Sequence, residues 1–476
     1  MNTINKDKSK IYIYGAGDYA SILFSYFKII NVEISGFVVT EKNNQVSQLF
    51  GKEVYAIKDV TYQPQDLFYI AMREDYAKQV VTTLDEYNIS NYVIMDYIMM
   101  TQIQSAFLNF YESQPIQNNK IVVQCYGGKG YCCNPKYIVQ EMEQRKYPIE
   151  VVWAVTDSED HTIPSFVRKV KVDSPEYFEE IMTAKVIITN DALLPFNIKR
   201  KNQIVVNTWH GAGPFKRCGY DGDNEVFAQT TGLISTLTDL FLSASQFNTK
   251  FYKTAFHYEG AVLESGAPRN DILFHESNIR EKICKRYSIP IEKKIVLYAP
   301  TFRGSALKES FEHYDIGLNK VLDALQEKFN TEFVCMGRYH YLVSKYIEMR
   351  DFGQSVIDVS DYIDAQELLV AADVLISDYS SIIWDFSLQK KLVLLYHNDI
   401  TEYENERGFY SSPQSWPYLI GHNTEELCSK IRMLNMEEYE SDLEDFFVKY
   451  GRLDDGSATK RVVDKIAEIM RLQDHE

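Results

Sequence analysis

The chain has 476 residues, 45% hydrophobic and 25% charged, a globular composition that can bury several cores and excludes wholesale disorder. With 50 Lys and Arg against 67 Asp and Glu, the net charge of −17 opposes a broad electrostatic grip on nucleic acid or an anionic membrane, so an anionic ligand needs a local basic pocket. At about 150 residues per domain, the length predicts roughly three domains.

The amino-terminal MNTINKDKSK lacks the apolar core of a signal peptide, and no run of about 18 uncharged apolar residues is present. A cytoplasmic location is expected, with contact at the membrane surface left open. Cys125, Cys132, Cys133, Cys218, Cys284, Cys335 and Cys428 form no CxxC pair and accompany no zinc-finger His cluster, so buried reduced thiols and no metal site are expected.

Residues 11–14 read as an apolar strand that runs into Gly15-Ala16-Gly17-Asp18-Tyr19-Ala20 and then a helical pattern through Ile22, Leu23, Tyr26 and Phe27. Further strands are predicted at 32–39, 67–71 and 92–95, which makes 1–100 a small Rossmann-like α/β unit. Residues 101–119, polar with Pro115 and two adjacent Asn, read as a linker with room for a short helix. A second α/β unit, 120–271, has strands at 121–124, 150–154, 186–189, 204–207 and 261–264, and closes on the turn-rich Ser265-Gly266-Ala267-Pro268-Arg269-Asn270-Asp271. The third unit, 272–476, has strands at 295–298, 332–336, 374–377 and 392–396, alternating with helical sequence as a parallel sheet requires. Two such units in tandem predict a cleft holding a donor on one side and an acceptor on the other.

In open α/β sheets ligands bind beyond the carboxyl ends of strands, where loops converge. In the third unit those exits are Ala299-Pro300-Thr301-Phe302-Arg303, Gly337-Arg338-Tyr339-His340 and Asp378-Tyr379-Ser380-Ser381, all polar or basic. Ser380 and Ser381 precede the apolar run Ile382, Ile383, Trp384, Phe386, where they can cap a helix and present hydroxyls to a phosphate; Arg303, Arg338 and His340 supply positive charge. Together they describe a diphosphate site, although each residue alone reads equally well as a helix cap or a partner of a surface acid. In the second unit, the strand ending at Asn207 leads to Thr208-Trp209-His210-Gly211-Ala212-Gly213-Pro214-Phe215-Lys216-Arg217. A histidine at a strand exit, with glycines beside it, suits a general base at neutral pH, and Lys216 and Arg217 suit an anionic acceptor. A lone histidine is more often a hydrogen-bonded structural residue, so spacing leaves the choice open.

These blocks resemble the CDP-glycerol glycerophosphotransferase family of teichoic-acid and capsule synthesis over most of residues 118–470. The resemblance rests on Asn207 to Gly211, Gly266 to Asp271, Leu297 to Arg303, Arg338-Tyr339-His340, Ala372 to Ser381 with Asp385-Phe386, then Arg407-Gly408-Phe409-Tyr410, and on the ending Asp455-Gly456-Ser457-Ala458-Thr459. It implies a GT-B fold of two facing Rossmann-like domains, no metal for donor binding, and no cofactor beyond the CDP-glycerol or CDP-ribitol donor. It implies His210 and His340 as catalytic residues, and Thr301, Arg303, Arg338, Asp378, Ser380 and Ser381 around the donor. Trp209, Gly211, Lys216, Arg217 and Asn134 are expected near a lipid-linked or oligomeric acceptor; a homo-oligomer and peripheral membrane association are compatible with it. Where many members read Thr-Pro-Leu-Lys after the histidine, this chain reads Ala212-Gly213-Pro214-Phe215-Lys216, which allows a different acceptor. The amino-terminal Gly15, Gly17 and Ala20 resemble the small domain preceding sugar acyltransferases, with Glu41 near a nucleotide ribose, in competition with a structural role that needs no nucleotide. Alternatives are a GT-B glycosyltransferase using a nucleotide sugar, and a scaffold or nucleotide-sensing module with a degenerate transferase half. An NAD-dependent oxidoreductase is disfavoured because the first unit ends near 100 without a catalytic partner.

Overall fold

Three sheets organise the computed structural model, which describes residues 9–42, 47–193, 196–275, 277–301, 316–339 and 356–472. The first contains β1 (Ile11–Tyr14), β2 (Gly36–Val39), β3 (Gln48–Leu49), β4 (Lys52–Ala56), β5 (Leu67–Ile70) and β6 (Tyr92–Ile94), in the order β3-β4-β2-β1-β5-β6. Only the β3–β4 pair is antiparallel. The second contains β7 (Gln117–Gln124), β8 (Glu150–Val155), β9 (Arg168–Lys171), β10 (Ala184–Thr189), β11 (Ile204–Asn207), β12 (Leu240–Ser243) and β13 (Ala261–Glu264), in the order β13-β12-β11-β10-β7-β8-β9. The third contains β14 (Lys294–Tyr298), β15 (Phe333–Gly337), β16 (Val356–Asp358), β17 (Val374–Ser377), β18 (Leu392–Tyr396) and β19 (Leu419–Gly421), all parallel, in the order β16-β15-β14-β17-β18-β19. Its central strands β17 and β18 are buried at every position, as unbroken apolar runs covered on both faces must be.

The chain divides into two compact units. The first comprises Met1–Lys129, Ile149–Ile187 and Leu193–Ile204. Here Gly15 has φ +125°, and a Cβ on it would stand 2.7 Å from the Ala71 carbonyl oxygen, so close packing at the β5 exit is enough to require glycine. The second predicted strand is shortened to Gly36–Val39. The stretch read as a polar linker is largely a sixteen-residue helix, Tyr97–Glu112, which a four-residue turn joins to β7. Ile103, Phe107 and Tyr111, four residues apart, bury one face of it, and the Asp96 side chain caps it by accepting from the Met99 N–H at 2.8 Å. That polar composition described only the helix's solvent face. Strands β3, β4, β9, β12, β16 and β19 were not expected; most are short and lie at or near sheet edges, where partial exposure interrupts the apolar run.

The second unit comprises Gly130–Pro148, Ile188–Ala192 and Val205–Glu476. Its core centres on Val296, Leu297, Leu375, Ile376, Trp384 and Leu394, all fully buried. Among the described residues no helix is long and apolar enough to cross a membrane.

Candidate active site

The cavity and the residues that build it belong to the second unit. Strand β11 ends at Asn207, whose Oδ1 accepts the Trp209 N–H at 2.9 Å, while Thr208 N–H donates to the Thr189 carbonyl at 2.8 Å. Trp209 then takes φ +49°, a left-handed conformation that costs a bulky residue about 1–3 kcal/mol. The surroundings hold it there: Asn134 Nδ2 donates to the carbonyls of Thr208 (3.2 Å) and Trp209 (3.0 Å), and the indole packs edge-on against Phe256 at 4.8 Å.

This turn delivers His210 to a defined partner. Its Nδ1 lies 2.6 Å from the Asn190 carbonyl oxygen. A carbonyl only accepts, so Nδ1 carries the proton and Nε2 the lone pair, the tautomer a general base needs. Burial lowers the imidazole pKa below 6.5, the Asp191 carboxylate and the Asn190 carbonyl oppose that, and Arg269 and Lys216 reinforce it. The ring is therefore neutral at pH 7.

The other half of the site is built at the exits of β14 and β17. The Asp378 carboxylate accepts from Thr301 N–H at 2.9 Å and from the Thr301 hydroxyl and the Tyr379 N–H, so it ties the two exits together. Ser381 makes no capping bond to the following six-residue helix, Ile382–Ser387, which leaves its hydroxyl for the cavity; the Ser380 Oγ accepts weakly from Ile382 N–H at 3.4 Å. A Cβ placed on Gly211 would stand 3.8 Å from Ser381 Oγ, so the His210 turn and the Ser381 turn are immediate neighbours. They share a cavity of about 370 Å³, lined by Trp209, His210, Gly211, Lys216, Arg217, Thr301 and Ser381. Phe227, Phe247, Phe251 and Tyr410 add aromatic surface to the lining, and Arg407 adds a third basic side chain beside the acidic Glu406.

The Arg407–Tyr410 block reaches the cavity by pairing with the segment after His210. Arg217 N–H donates to the Gly408 carbonyl at 3.1 Å, Tyr410 N–H to the Phe215 carbonyl at 2.8 Å, and Arg217 Nε to the Phe409 carbonyl at 3.2 Å. Gly408 has φ +65° and approaches the Arg217 side chain closely. Two motifs far apart in sequence thus form one edge of the site.

Other expected residues stand elsewhere. Asn134 is 2% exposed, and its amide is committed to the backbone of the His210 turn rather than to the cavity. Asp378 and Ser380 lie behind the wall, and Arg338 donates to the Tyr362 carbonyl without lining the cavity. Arg303 and His340 lie outside the described residues. In the first unit, Gly17 faces open space and Glu41 is exposed; Asp18 opens the helix there, and Asp173 is pushed up to about 7 by burial and then by Asp18.

Sequence reasoning missed Asn190, whose position at the β10 exit was the available signal, and His397. His397 is 1% exposed; its Nε2 lies 2.8 Å from the Asp378 carbonyl oxygen and so bears the proton, and burial lowers its pKa to about 4. The unfolded chain protonates this residue near pH 6.5, the folded chain only near 4. Stability from the neutral ring is thus complete above pH 6.5 and drains away as pH falls through that window. The variant His397→Gln should show a shallower loss of stability between pH 6.5 and 4.5 than wild type in urea unfolding; parallel profiles would contradict this assignment.

Comparisons with known proteins give the family and the fold. The family model for CDP-glycerol:poly(glycerophosphate) glycerophosphotransferase matches residues 106–468. A teichoic acid poly(glycerol phosphate) polymerase of Bacillus spizizenii is 29% identical over 394 residues, covering 79% of this chain and 98% of the relative. A teichoic acid glycerol-phosphate transferase of Staphylococcus aureus is 30% identical over 366 residues, covering 73% and 92%. The solved structure of the wall teichoic acid polymerase TagF superposes with a TM-score of 0.68 at 24% identity, covering 84% of this chain and 99% of that one, which establishes the GT-B fold. The chain belongs to the CDP-glycerol:poly(glycerophosphate) glycerophosphotransferase family.

Proposed function

We propose that this chain transfers a glycerol-phosphate unit from CDP-glycerol to a hydroxyl of a teichoic-acid-like or capsular polymer, releasing CMP. Family membership supplies the coarser statement, polyol-phosphate transfer from a CDP-polyol to a polymer acceptor. Glycerol is favoured over ribitol as the polyol because both relatives named above are glycerol-phosphate enzymes.

The observation that carries the reading is the shared cavity, lined by an imidazole whose Nε2 bears the lone pair, by the Ser381 turn next to it, and by Lys216 and Arg217. In this mechanism His210 Nε2 takes the proton of the acceptor hydroxyl as its oxygen attacks the phosphorus bearing the glycerol. The bond from that phosphorus to the bridging oxygen breaks, and CMP leaves with the electron pair. Ser381, with Arg303 and His340, acts on the donor diphosphate, while Thr301, Asp378 and Ser380 shape that loop and Arg338 braces the neighbouring exit through the Tyr362 carbonyl. Lys216 and Arg217 hold an anionic acceptor. No covalent enzyme intermediate forms, since the hydroxyl attacks the donor directly.

The test is incubation with CDP-glycerol, CDP-ribitol and a set of UDP- and CMP-sugars, each with a glycerol-phosphate oligomer as acceptor. CMP release dependent on CDP-glycerol and acceptor is expected. Turnover of a nucleotide sugar with no CMP from either CDP-polyol would replace this reading with a glycosyltransferase on the same fold.

A further inference from the structure

The turn Gly266–Asp271 has no place in the chemistry above, yet it touches the backbone of the proposed base. Arg269, 5% exposed, donates from Nη1 to the His210 carbonyl at 2.8 Å and to Cys133 Sγ at 3.3 Å. Its Nη2 pairs with Asp385 Oδ2 at 2.9 Å, and its backbone N–H donates to Asn134 Oδ1 at 3.0 Å. Asn134 in turn holds the carbonyls of Thr208 and Trp209. Three consecutive carbonyls of a strained turn are therefore gripped by two buried side chains, one of which, Asn134, also accepts from the backbone N–H of the other's residue, Arg269.

The grip is anchored. Asp385 accepts from Asn270 Nδ2 at 3.0 Å and from Gln366 Nε2 at 2.9 Å. Asp454 accepts from Ala267 N–H at 2.8 Å and from Trp384 Nε1 at 3.3 Å, and Asp271 accepts from the N–H groups of Ala458 and Thr459 at 2.9 and 2.7 Å. The Arg269 turn is thus fixed by the Trp384–Asp385 helix and by the Asp454–Thr459 segment, the carboxy-terminal motif that the chemistry leaves unused.

We propose that Arg269, braced by Asp385, is a positioning residue that sets the orientation of His210 for proton abstraction. The proposal rests on the reading of His210 as the base. The planar guanidinium reaches the carbonyl from Nη1 and the carboxylate from Nη2, two nitrogens held in fixed geometry; a lysine keeps the charge but presents all its donors from one atom, so it cannot occupy both positions. The guanidinium also acts through space. The charged groups acting on the imidazole are Asp191, which favours its protonation, and Arg269 and Lys216, which oppose it, beside the Asn190 carbonyl on Nδ1.

The experiment is steady-state kinetics of Arg269→Lys and Arg269→Gln with CDP-glycerol, alongside His210→Ala. For Arg269→Lys, kcat should fall about 10- to 100-fold, the scale of a slightly misplaced catalytic group, with KM for the donor within about twofold of wild type. For Arg269→Gln, loss of the opposing cation should move the acid limb of kcat/KM to higher pH, a change that a purely structural defect does not produce. A wild-type kcat in Arg269→Lys, or a proportional rise in KM instead, overturns the proposal, and so does an unmoved acid limb in Arg269→Gln. If Arg269→Gln fails to fold, the kcat and KM split of Arg269→Lys decides alone. Undiminished turnover by His210→Ala sinks the reading of the base itself and is distinct from either result.

Discussion

Replacing His210 with alanine is expected to lower the turnover number by about 10²- to 10⁴-fold, the range that a positioned general base contributes. Donor affinity, measured by calorimetry with CDP-glycerol, should remain within about twofold, because a residue that acts on the acceptor proton removes a transition-state interaction and little ground-state binding. The structure makes this separation sharp. His210 is held from its Nδ1 side by the Asn190 carbonyl, so alanine removes one ring and leaves the Asn134 and Arg269 contacts to the turn intact. In wild type, burial keeps the imidazole neutral below its ordinary range. Activity should persist as pH falls past 6.5 and decline only once Nε2 becomes protonated. An alanine variant that turns over normally, or a wild-type acid limb well above pH 6.5, would remove His210 from the mechanism.

The largest stability effect is expected at Lys136. Its ammonium, buried on the helix Cys133–Gln144, pairs with Asp364 and, at 2.9 Å, with Glu367. Tyr137 donates to Asp364 at 2.9 Å, Lys282 to Glu367 at 2.6 Å, and Tyr362 to the same Glu367 oxygen. Burial opposes the charge on Glu367, yet Lys136, Lys282 and Tyr362 overcome it and draw its carboxyl down to about 2. For Lys136→Met, the unfolding free energy should fall by about 3–5 kcal/mol in urea, because buried carboxylates are left without their central cation. The urea m value should not change, since the surface exposed on unfolding is the same. Replacing Lys136, Asp364 and Glu367 together with apolar residues should restore much of that loss. A loss below about 1 kcal/mol in the single variant would show that these charges are solvated, as surface pairs are.

The parts of the site that could be read from the chain are those governed by strand exits. Trp209 to Gly211, Thr301 and Ser380-Ser381 follow strands whose apolar runs are unmistakable, and the rule that ligands gather beyond such ends brought them together on paper. What composition misjudged were elements whose apolar residues lie on one face only. The helix Tyr97–Glu112 buries only the stripe Ile103, Phe107 and Tyr111, and the short edge strand β9 buries a single residue, Val170.

Local periodicity was sufficient for the α/β class, since it depends on residues close together in the chain, and the GT-B arrangement and the reaction family followed from the resemblance carried by short blocks, each contiguous, in a fixed order. The identity of the atoms that hold His210 was not, because Asn190, Asn134, Arg269 and Asp385 come from four separate loops and helices and acquire meaning only when packing sets donors within about 3 Å of acceptors. The same holds for Asn134, which looks like an available polar side chain in sequence and is a buried clamp in space. Hydrogen-bond partners and the resulting charge state are properties of distance and burial, and a linear order of residues specifies neither until the chain has folded.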